Sequence, residues 1–127
     1  MKIKTSELTG AALDWAVAKC EGVKVVKLKH GRATFSDPFD DGALNEMFIN
    51  YSTDWAQGGP IIEREGISID QRDNGSLVLA CIDAPMEHEE NEIWVNGPTP
   101  LIAAMRCYVA SKLGDEVEVI DAFLEGK

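Results

Sequence analysis

The residues best suited to chemistry are concentrated between Tyr51 and Glu65. This segment carries two aromatic rings, an amide, a guanidinium and three carboxylates around the sequence Gly58-Gly59-Pro60. No apolar face repeats at a fixed period here, so the segment is predicted to be a loop. Loops that mix aromatic, amide and arginine side chains often bind a ligand. The candidate ligand-binding residues in it are Tyr51, Asp54, Trp55, Gln57, Gly58, Gly59, Glu63 and Arg64.

A planar, anionic ligand is the chemistry that this composition favours. A nucleobase stacked on Trp55 would gain about 1–3 kcal/mol, and Gln57 would hydrogen-bond to its edge. Gly58 and Gly59 permit close approach of a phosphate or carboxylate to backbone N–H groups. Arg64 would supply a bidentate fork for the same anion.

A second anion-binding corner is predicted where the last long helix begins. Thr99, preceded by Asn96 and Gly97, would place the amides of a helix N-terminus beside an anion. Trp94 offers another planar face close by. Arg106 lies in an apolar helix and needs either a buried partner or an anionic ligand. Trp94, Asn96, Thr99 and Arg106 therefore complete the predicted site.

Each of these features also has a structural explanation. The tryptophans can be core or interface anchors, and the Gly-Gly-Pro sequence can be a plain turn. Arg106 can pair with Glu63 or Glu65 instead of binding a ligand. The same aromatic side chains would serve a partner protein or a homodimer, so the oligomeric state is left open.

Catalysis has less support than binding. The carboxylates Asp54, Glu63 and Glu65 resemble those of acid–base sites, but acidic residues are abundant throughout the chain. The two histidines, His30 and His88, lie beside a glycine and within an acidic run, where solvated surface positions are expected. The acidic stretches lack the spacing of a calcium loop. No catalytic residue, metal ligand or cofactor is therefore predicted.

Composition restricts the class of protein. The chain has 127 residues, of which 45% are hydrophobic, enough for one domain with a buried core. No apolar run approaches the roughly 18 residues that span a bilayer, and the N-terminal sequence lacks a secretion-signal core. Three widely separated cysteines predict buried, reduced thiols. We expect a single cytoplasmic domain with no membrane partner.

The net charge bears on the choice of partner. There are 22 acidic and 12 basic residues, which give a formal charge of −10. This field repels phosphate backbones, so nucleic acid is not expected as a partner, although one nucleotide in a local basic pocket is compatible with it. The same charge would steer the protein towards a basic partner protein.

The expected fold is α+β, with a small antiparallel or mixed sheet packed against two main helices. The first helix spans about 6–21, with Asp14 and Lys19 in solvent and Trp15 at the border of the core. The second spans about 99–113, is apolar almost all round and should be buried.

The strands are read from alternation and turn residues. Ile67–Asp70 and Leu77–Ile82 form the clearest hairpin, and the second strand is apolar on both faces, which predicts a central position. Residues 33–50 are hard to assign; Asp37–Gly42 is typical of a turn-rich loop, and Met47–Asn50 of a brief strand. Further strands are predicted at Lys2–Lys4, Val23–Leu28, Met47–Asn50 and Ile93–Val95, and an edge strand or short helix within 115–127.

Three segments of the sequence, which together cover about half the chain, resemble segments of known proteins. They run from Lys4 to Ala18, from Tyr51 to Ile67 and from Gly97 to Gly114. In this order they resemble the NinX family, small proteins encoded by lambdoid bacteriophages and related prophages. The resemblance implies a phage or prophage origin and action inside a bacterial host. Small accessory phage proteins often blunt host defences, so it also implies counter-defence as one class of role.

The sequence as a whole favours a binder that does not catalyse. The preferred ligand is small, planar and anionic, such as a nucleotide or a nucleotide-derived signal. The first alternative is an interaction module that docks onto a host protein, and the second is a small carboxylate-dependent enzyme.

Overall fold

A computed structural model of the chain confirms the α+β class, with three α-helices and eight strands in the part that it describes. That part comprises residues 2–22, 26–29, 32–36, 46–73, 77–83 and 92–119. In chain order the elements are β1 (Lys2–Lys4), a 3-10 helix (Thr5–Glu7), α1 (Gly10–Cys20), β2 (Val26–Lys29), β3 (Arg32–Ser36), β4 (Glu46–Phe48), α2 (Trp55–Glu65), β5 (Ser68–Arg72), β6 (Leu77–Asp83), β7 (Glu92–Gly97), α3 (Pro100–Leu113) and β8 (Glu116–Glu118).

Helix α1 is shorter than the helix predicted at about 6–21. Leu8 and Thr9 adopt extended backbone and separate α1 from the preceding 3-10 helix. Gly22 follows the end of α1 with φ +80°, a conformation that glycine adopts without strain. The helix therefore ends where the sequence predicts and begins one turn later.

The surface of α1 differs from the prediction at two positions. Asp14 is 6% exposed instead of facing solvent, because its carboxylate accepts the backbone N–H of Ser52 at 2.9 Å. Trp15 is 7% exposed and belongs to the core instead of bordering it. Lys19 is exposed, as predicted, with its ammonium 4.7 Å from the centre of the Trp15 ring. Seven consecutive residues of α1 are buried, so the helix is covered on more sides than its one apolar face indicates.

The described strands form three small antiparallel sheets. The predicted hairpin is confirmed as β5 and β6, and β6 is the central strand of the order β5-β6-β7. The N-terminal strand β1 pairs with β8, and β3 lies between β2 and β4. Strand β3 is not among the predicted strands, although Ala33 and Phe35 alternate with polar residues along it. His30, His88 and the loop predicted at Asp37–Gly42 lie outside the described residues.

Helix α3 packs against the third sheet and confirms the helix predicted at 99–113. Thr99 caps it, with its hydroxyl oxygen accepting the Ile102 N–H at 3.1 Å. Val78, Ala80 and Ile82 alternate along β6 and are buried with α3 in the core. The end of β7 approaches α3 so closely that a Cβ on Gly97 would lie 2.7 Å from the Ala103 nitrogen.

The prediction that Tyr51–Glu65 is a loop is wrong, because Trp55–Glu65 form helix α2. The Asp54 carboxylate caps the helix by accepting the Ala56 N–H at 2.9 Å, and Gly66 ends it with φ +67°. Only Gly58 and Ile61 of this helix are buried. Gly58, Ile61 and Ile62 lie on one side of the helix at helical spacing, but one of the three has no side chain, and Gly58, Gly59 and Pro60 disfavour helix, so the sequence is read as a loop.

Candidate functional site

The start of α2 and the start of α3 lie side by side and line a cavity of about 230 Å³. Trp55, the first residue of α2, stands at this cavity with 54% of its surface exposed. Thr99, the cap of α3, lies across from it. The structure therefore brings together Trp55 from the predicted 51–65 segment and Thr99 from the predicted anion-binding corner. The cavity is lined by Ser52, Thr53, Trp55, Thr99, Pro100, Leu101 and Ile102.

A glycine allows the two helix starts to meet. A Cβ on Gly58 would overlap the carbonyl oxygen of Tyr51 and lie 2.7 Å from Cδ1 of Leu101. The Gly58 N–H donates to the Asp54 carbonyl at 2.9 Å, within the first turn of α2. Gly58 thus serves packing, and its amide is already used. A Cβ on Gly59 would lie 3.8 Å from the Trp55 ring, an ordinary contact.

The two helix starts differ in charge. Asp54 is the N-cap of α2, and its carboxylate offsets the positive end of that helix dipole. Thr99 is neutral and the first turn of α3 carries no acidic residue, so neither the cap nor the helix itself offsets the positive end of α3. The amide of Leu101 lies in the first turn of α3, where helix geometry provides no intrahelical acceptor. An anion is therefore better accommodated on the α3 side of the cavity.

Tyr51 and Gln57 hold the segment that leads into α2. The side-chain oxygen of Gln57 accepts the Asn50 N–H at 2.7 Å. Tyr51 is half-buried, and its pKa is raised by burial and by the carboxylates of Glu21 and Asp14. Neither side chain lines the cavity, so neither is placed to read the edge of a ligand bound there.

Arg64 lies at the opposite end of α2, and its guanidinium is held by the protein itself. Nη1 and Nη2 donate to the two carboxylate oxygens of Glu21 at 3.1 and 2.6 Å. Nε donates to Glu65 at 2.9 Å, and Nη2 also donates to the Tyr108 hydroxyl at 3.2 Å. The bidentate fork that the sequence predicts is present, but the anion in it is Glu21. We call Glu21, Arg64, Glu65 and Tyr108 the Arg64 cluster.

Hydrogen bonds and burial shift the pKa values in the Arg64 cluster. The bonds from Arg64 lower the pKa of Glu21, and those to Glu21 and Glu65 raise the pKa of Arg64. Burial, together with the bond to Glu21, raises the pKa of Tyr108, whose hydroxyl donates to Glu21 at 2.5 Å. At neutral pH the carboxylate and guanidinium are therefore charged and Tyr108 is a neutral donor.

Helix geometry separates Trp55 from Arg64. Nine residues advance the helix by about 13 Å and by about two and a half turns, which places the two side chains on opposite sides of the axis. A ligand stacked on Trp55 is therefore out of reach of Arg64. Glu63 is exposed near the Arg64 end of the helix, also away from the cavity.

The remaining predicted residues lie around β7. Arg106 donates from Nε to the Leu8 carbonyl at 2.7 Å and from Nη1 to the Asn96 carbonyl at 3.1 Å. Its partners are therefore backbone carbonyls, and the alternative of a pair with Glu63 or Glu65 is wrong. Burial lowers the pKa of Arg106. Trp94 is 48% exposed on β7 and lines a second cavity.

Five residues that line the Trp55 cavity are absent from the prediction. They carry no pattern of their own, and adjacency to Trp55 or Thr99 is the only sequence signal that could have found them. The hydroxyl of one of them, Ser52, is buried and has no hydrogen-bond partner in the described part of the chain. Among the described residues, no group of His, Cys, Asp or Glu side chains is placed to hold a metal ion. No helix in the same ranges is long and apolar enough to cross a membrane.

Comparison with known proteins identifies the family. The family described as Bacteriophage P22, NinX matches residues 4–112. Among curated proteins, none matches the chain. Because the family match covers most of the chain, this protein belongs to the NinX family, and the resemblance carried by the three sequence segments is confirmed.

Proposed function

We propose that this member of the NinX family is a phage accessory protein that acts in the host cytoplasm by binding a small, planar, anionic ligand without chemically altering it. Nucleotides and nucleotide-derived signals have this chemistry. Holding such a signal away from its receptor would counter a host defence. The observation that carries the proposal is the cavity in which the exposed Trp55 ring lies beside the start of α3.

The Trp55 ring supports the planar part of the ligand. More than half of this large side chain is exposed, although burial is its favoured state. A base stacked on it would gain about 1–3 kcal/mol. The cavity, about 230 Å³, is smaller than the roughly 300–1,000 Å³ of pockets that enclose a drug-sized ligand. It therefore suits one ring system, with the rest of the ligand outside.

The start of α3 supports the anionic part. None of the described residues that line the cavity is Lys or Arg, and both Arg64 and Arg106 have partners elsewhere. The charge would then be held by the helix N-terminus, which suits one phosphate or carboxylate. A triphosphate would meet the field of Asp54 and the net charge of −10 without a compensating cation. The preferred class is therefore a nucleoside monophosphate or a ligand of similar charge.

Isothermal titration with a panel of nucleoside monophosphates tests the proposal. The matching nucleosides, the triphosphates and inorganic phosphate separate the contributions of the ring and the charge. We expect a monophosphate to bind more tightly than its nucleoside or its triphosphate. Trp55→Ala should weaken binding by about 5- to 160-fold, since loss of one stacking contact costs about 1–3 kcal/mol.

Two matched variants locate the site. Trp94→Ala removes an equally exposed tryptophan away from the cavity and should leave the affinity unchanged. Arg64→Met should also leave it unchanged, because Arg64 lies on the far side of α2. Binding that survives Trp55→Ala but is lost in Arg64→Met would place the ligand at the Arg64 cluster and contradict the proposal. So would the absence of binding by every member of the panel.

A further inference from the structure

One polar group in the wall of the Trp55 cavity is not used by the protein itself. Ser52 lines this cavity, and the residue is only 2% exposed. Its hydroxyl is buried and makes no hydrogen bond within the described part of the chain. Such a hydroxyl lowers the stability of the free protein, because it has lost water without gaining another partner. Groups of this kind are few in native proteins, and a ligand in the cavity would provide the missing partner.

The backbone on either side of this hydroxyl is fixed. The Ser52 N–H donates to the Asp14 carboxylate at 2.9 Å, and the Thr53 N–H donates to the Asn50 carbonyl at 3.1 Å. The Asn50 N–H in turn donates to the side-chain oxygen of Gln57 at 2.7 Å. These bonds hold the segment through its backbone and leave the Ser52 hydroxyl available to a ligand.

A rotation of the Ser52 side chain would present the hydroxyl to that ligand. Ser52 contributes to the cavity wall, although its oxygen is closed to solvent in the free protein. Rotation about the Cα–Cβ bond carries the oxygen between three staggered positions and leaves the backbone in place. The hydroxyl can therefore turn towards a bound ring without loss of the backbone bond to Asp14.

The charges around Ser52 indicate that it faces the ring of the ligand and not the anion. The Asp14 carboxylate accepts the Ser52 N–H, and Asp54 caps α2 two residues further along the chain. These carboxylates repel a phosphate from their side of the cavity. The first turn of α3, by contrast, carries no acidic residue. The phosphate is therefore better placed at α3, which leaves the neutral ring for Ser52.

The same carboxylates favour a hydrogen-bond donor on the edge of the ring. A hydroxyl can donate or accept, so Ser52 alone would bond to an amino group or to an oxo group. The negative field of Asp14 and Asp54 attracts the positive hydrogens of an amino group and repels a carbonyl oxygen. Stacking on Trp55 does not separate the bases, since every base has a π face. Selectivity must then come from the edge that Ser52 contacts.

We propose that Ser52 determines the specificity of the Trp55 cavity, and that its hydroxyl accepts a hydrogen bond from the amino group of a nucleobase. This inference rests on the function proposed above and narrows its ligand to a nucleoside monophosphate with an amino-bearing base. Trp55 holds the plane of the base, and the start of α3 holds the phosphate. Ser52 selects the amino edge.

Two matched pairs of ligands test this selection. Adenosine and inosine monophosphates differ at one ring position, which carries an amino group in the first and an oxo group in the second. Cytidine and uridine monophosphates form the second pair. In isothermal titration, an amino-bearing member should bind about fivefold to tenfold more tightly than its oxo counterpart, because it gains one hydrogen bond. Ser52→Ala should weaken that member by a similar factor and leave the oxo counterpart within about twofold.

Three further measurements separate the possible outcomes. Ser68→Ala removes a serine hydroxyl at the exposed start of β5, away from the cavity, and should leave all affinities unchanged. Trp55→Ala should weaken both members of a pair by the same factor. Thermal unfolding of ligand-free Ser52→Ala should show no loss of stability, so that a lower affinity reports a lost contact and not a damaged fold.

The results that overturn this inference differ from those that overturn the proposed function. If Trp55→Ala weakens binding but the amino and oxo members bind equally well, Ser52 does not select the base and the proposed function stands. The same holds if the preference survives Ser52→Ala, or if that variant is destabilised and the hydroxyl is structural. If none of the four monophosphates binds, the proposed function fails and this inference fails with it.

Discussion

Each end of α2 carries a side chain that is about half exposed, yet the two side chains have different surroundings. At its start, Trp55 is more than half exposed beside a cavity that faces the start of α3. At its end, Arg64 is also half exposed, but its donors are engaged by Glu21, Glu65 and Tyr108. Exposure alone therefore does not separate a ligand-binding side chain from a structural one.

The two ends differ in whether their side chains already have partners within the protein. The Arg64 guanidinium already has a carboxylate in bidentate geometry, so an added anion would have to displace Glu21. At the start of α3, with its neutral Thr99 cap, none of the described residues that line the cavity is a carboxylate. The comparison is the basis for proposing ligand binding at the start of α2, and it shows that the side chain at its end stabilises the tertiary structure.

Of the substitutions at the two ends of α2, the largest effect is expected at Gly58, where the start of α2 meets the start of α3. Gly58→Ala should lower the free energy of unfolding by about 2–3 kcal/mol, because the added Cβ overpacks against Tyr51 and Leu101. Gly59→Ala is the matched control and should raise it by about 0.5–1 kcal/mol through helix propensity. Urea unfolding monitored by circular dichroism measures both. Equal tolerance of the two substitutions would mean that the helix starts do not meet closely.

Removing the Glu21 carboxylate that binds Arg64 should lower the free energy of unfolding by a smaller amount, and this amount should depend on pH. At pH 7, Glu21→Gln should destabilise the fold by about 1 kcal/mol, since its partner Arg64 is half exposed. The pKa of Glu21 is lower in the folded state, so its contribution is present above the ordinary value of 4.5. It is lost as the pH falls through the folded value. Thermal unfolding of both proteins between pH 7 and pH 3 should show the difference shrinking below about pH 4.5; a constant difference would contradict the ion pair.

Ser52, which lines the Trp55 cavity, allows the hydrogen bonding of a buried hydroxyl to be tested. Its buried hydroxyl makes no hydrogen bond to any described residue, so Ser52→Ala should leave stability unchanged or raise it by up to about 1 kcal/mol. Thr5→Val is the contrasting change, since the buried Thr5 hydroxyl donates to the Gly114 carbonyl at 2.5 Å. That variant should lose about 1 kcal/mol. Chemical denaturation of both distinguishes them, and a clear loss in Ser52→Ala would reveal a partner for that hydroxyl.

The smallest effect on stability is expected at Trp55 itself. Trp55→Ala should change the free energy of unfolding by less than about 0.5 kcal/mol, because 54% of the residue is exposed and the higher helix propensity of Ala offsets part of the contact that is lost. Trp15→Ala, at a buried tryptophan, should cost about 3–5 kcal/mol. Differential scanning calorimetry measures both. A large loss of stability in Trp55→Ala would show that this ring is a structural anchor and would contradict its proposed role in ligand binding.

Helix α3 and the β5–β6 hairpin could be predicted because their signals are local. Thr99, Pro100 and Gly114 mark the ends of α3 within one turn of the residues that they affect. The hairpin follows from two apolar runs and an intervening turn sequence. Helix α2 could not be predicted in this way, because Gly58 makes a buried contact without a side chain, and Gly and Pro disfavour helix.

The sequence by itself determined the family, the α+β class, the ends of α3 and the presence of Trp55 and Arg64 in one segment. Only the tertiary structure showed that Trp55 remains open while Arg64 is engaged by Glu21, a residue 43 positions away. The physical reason is range. Capping and alternation act within a few residues, whereas the availability of a donor or a ring depends on partners that folding brings from elsewhere in the chain.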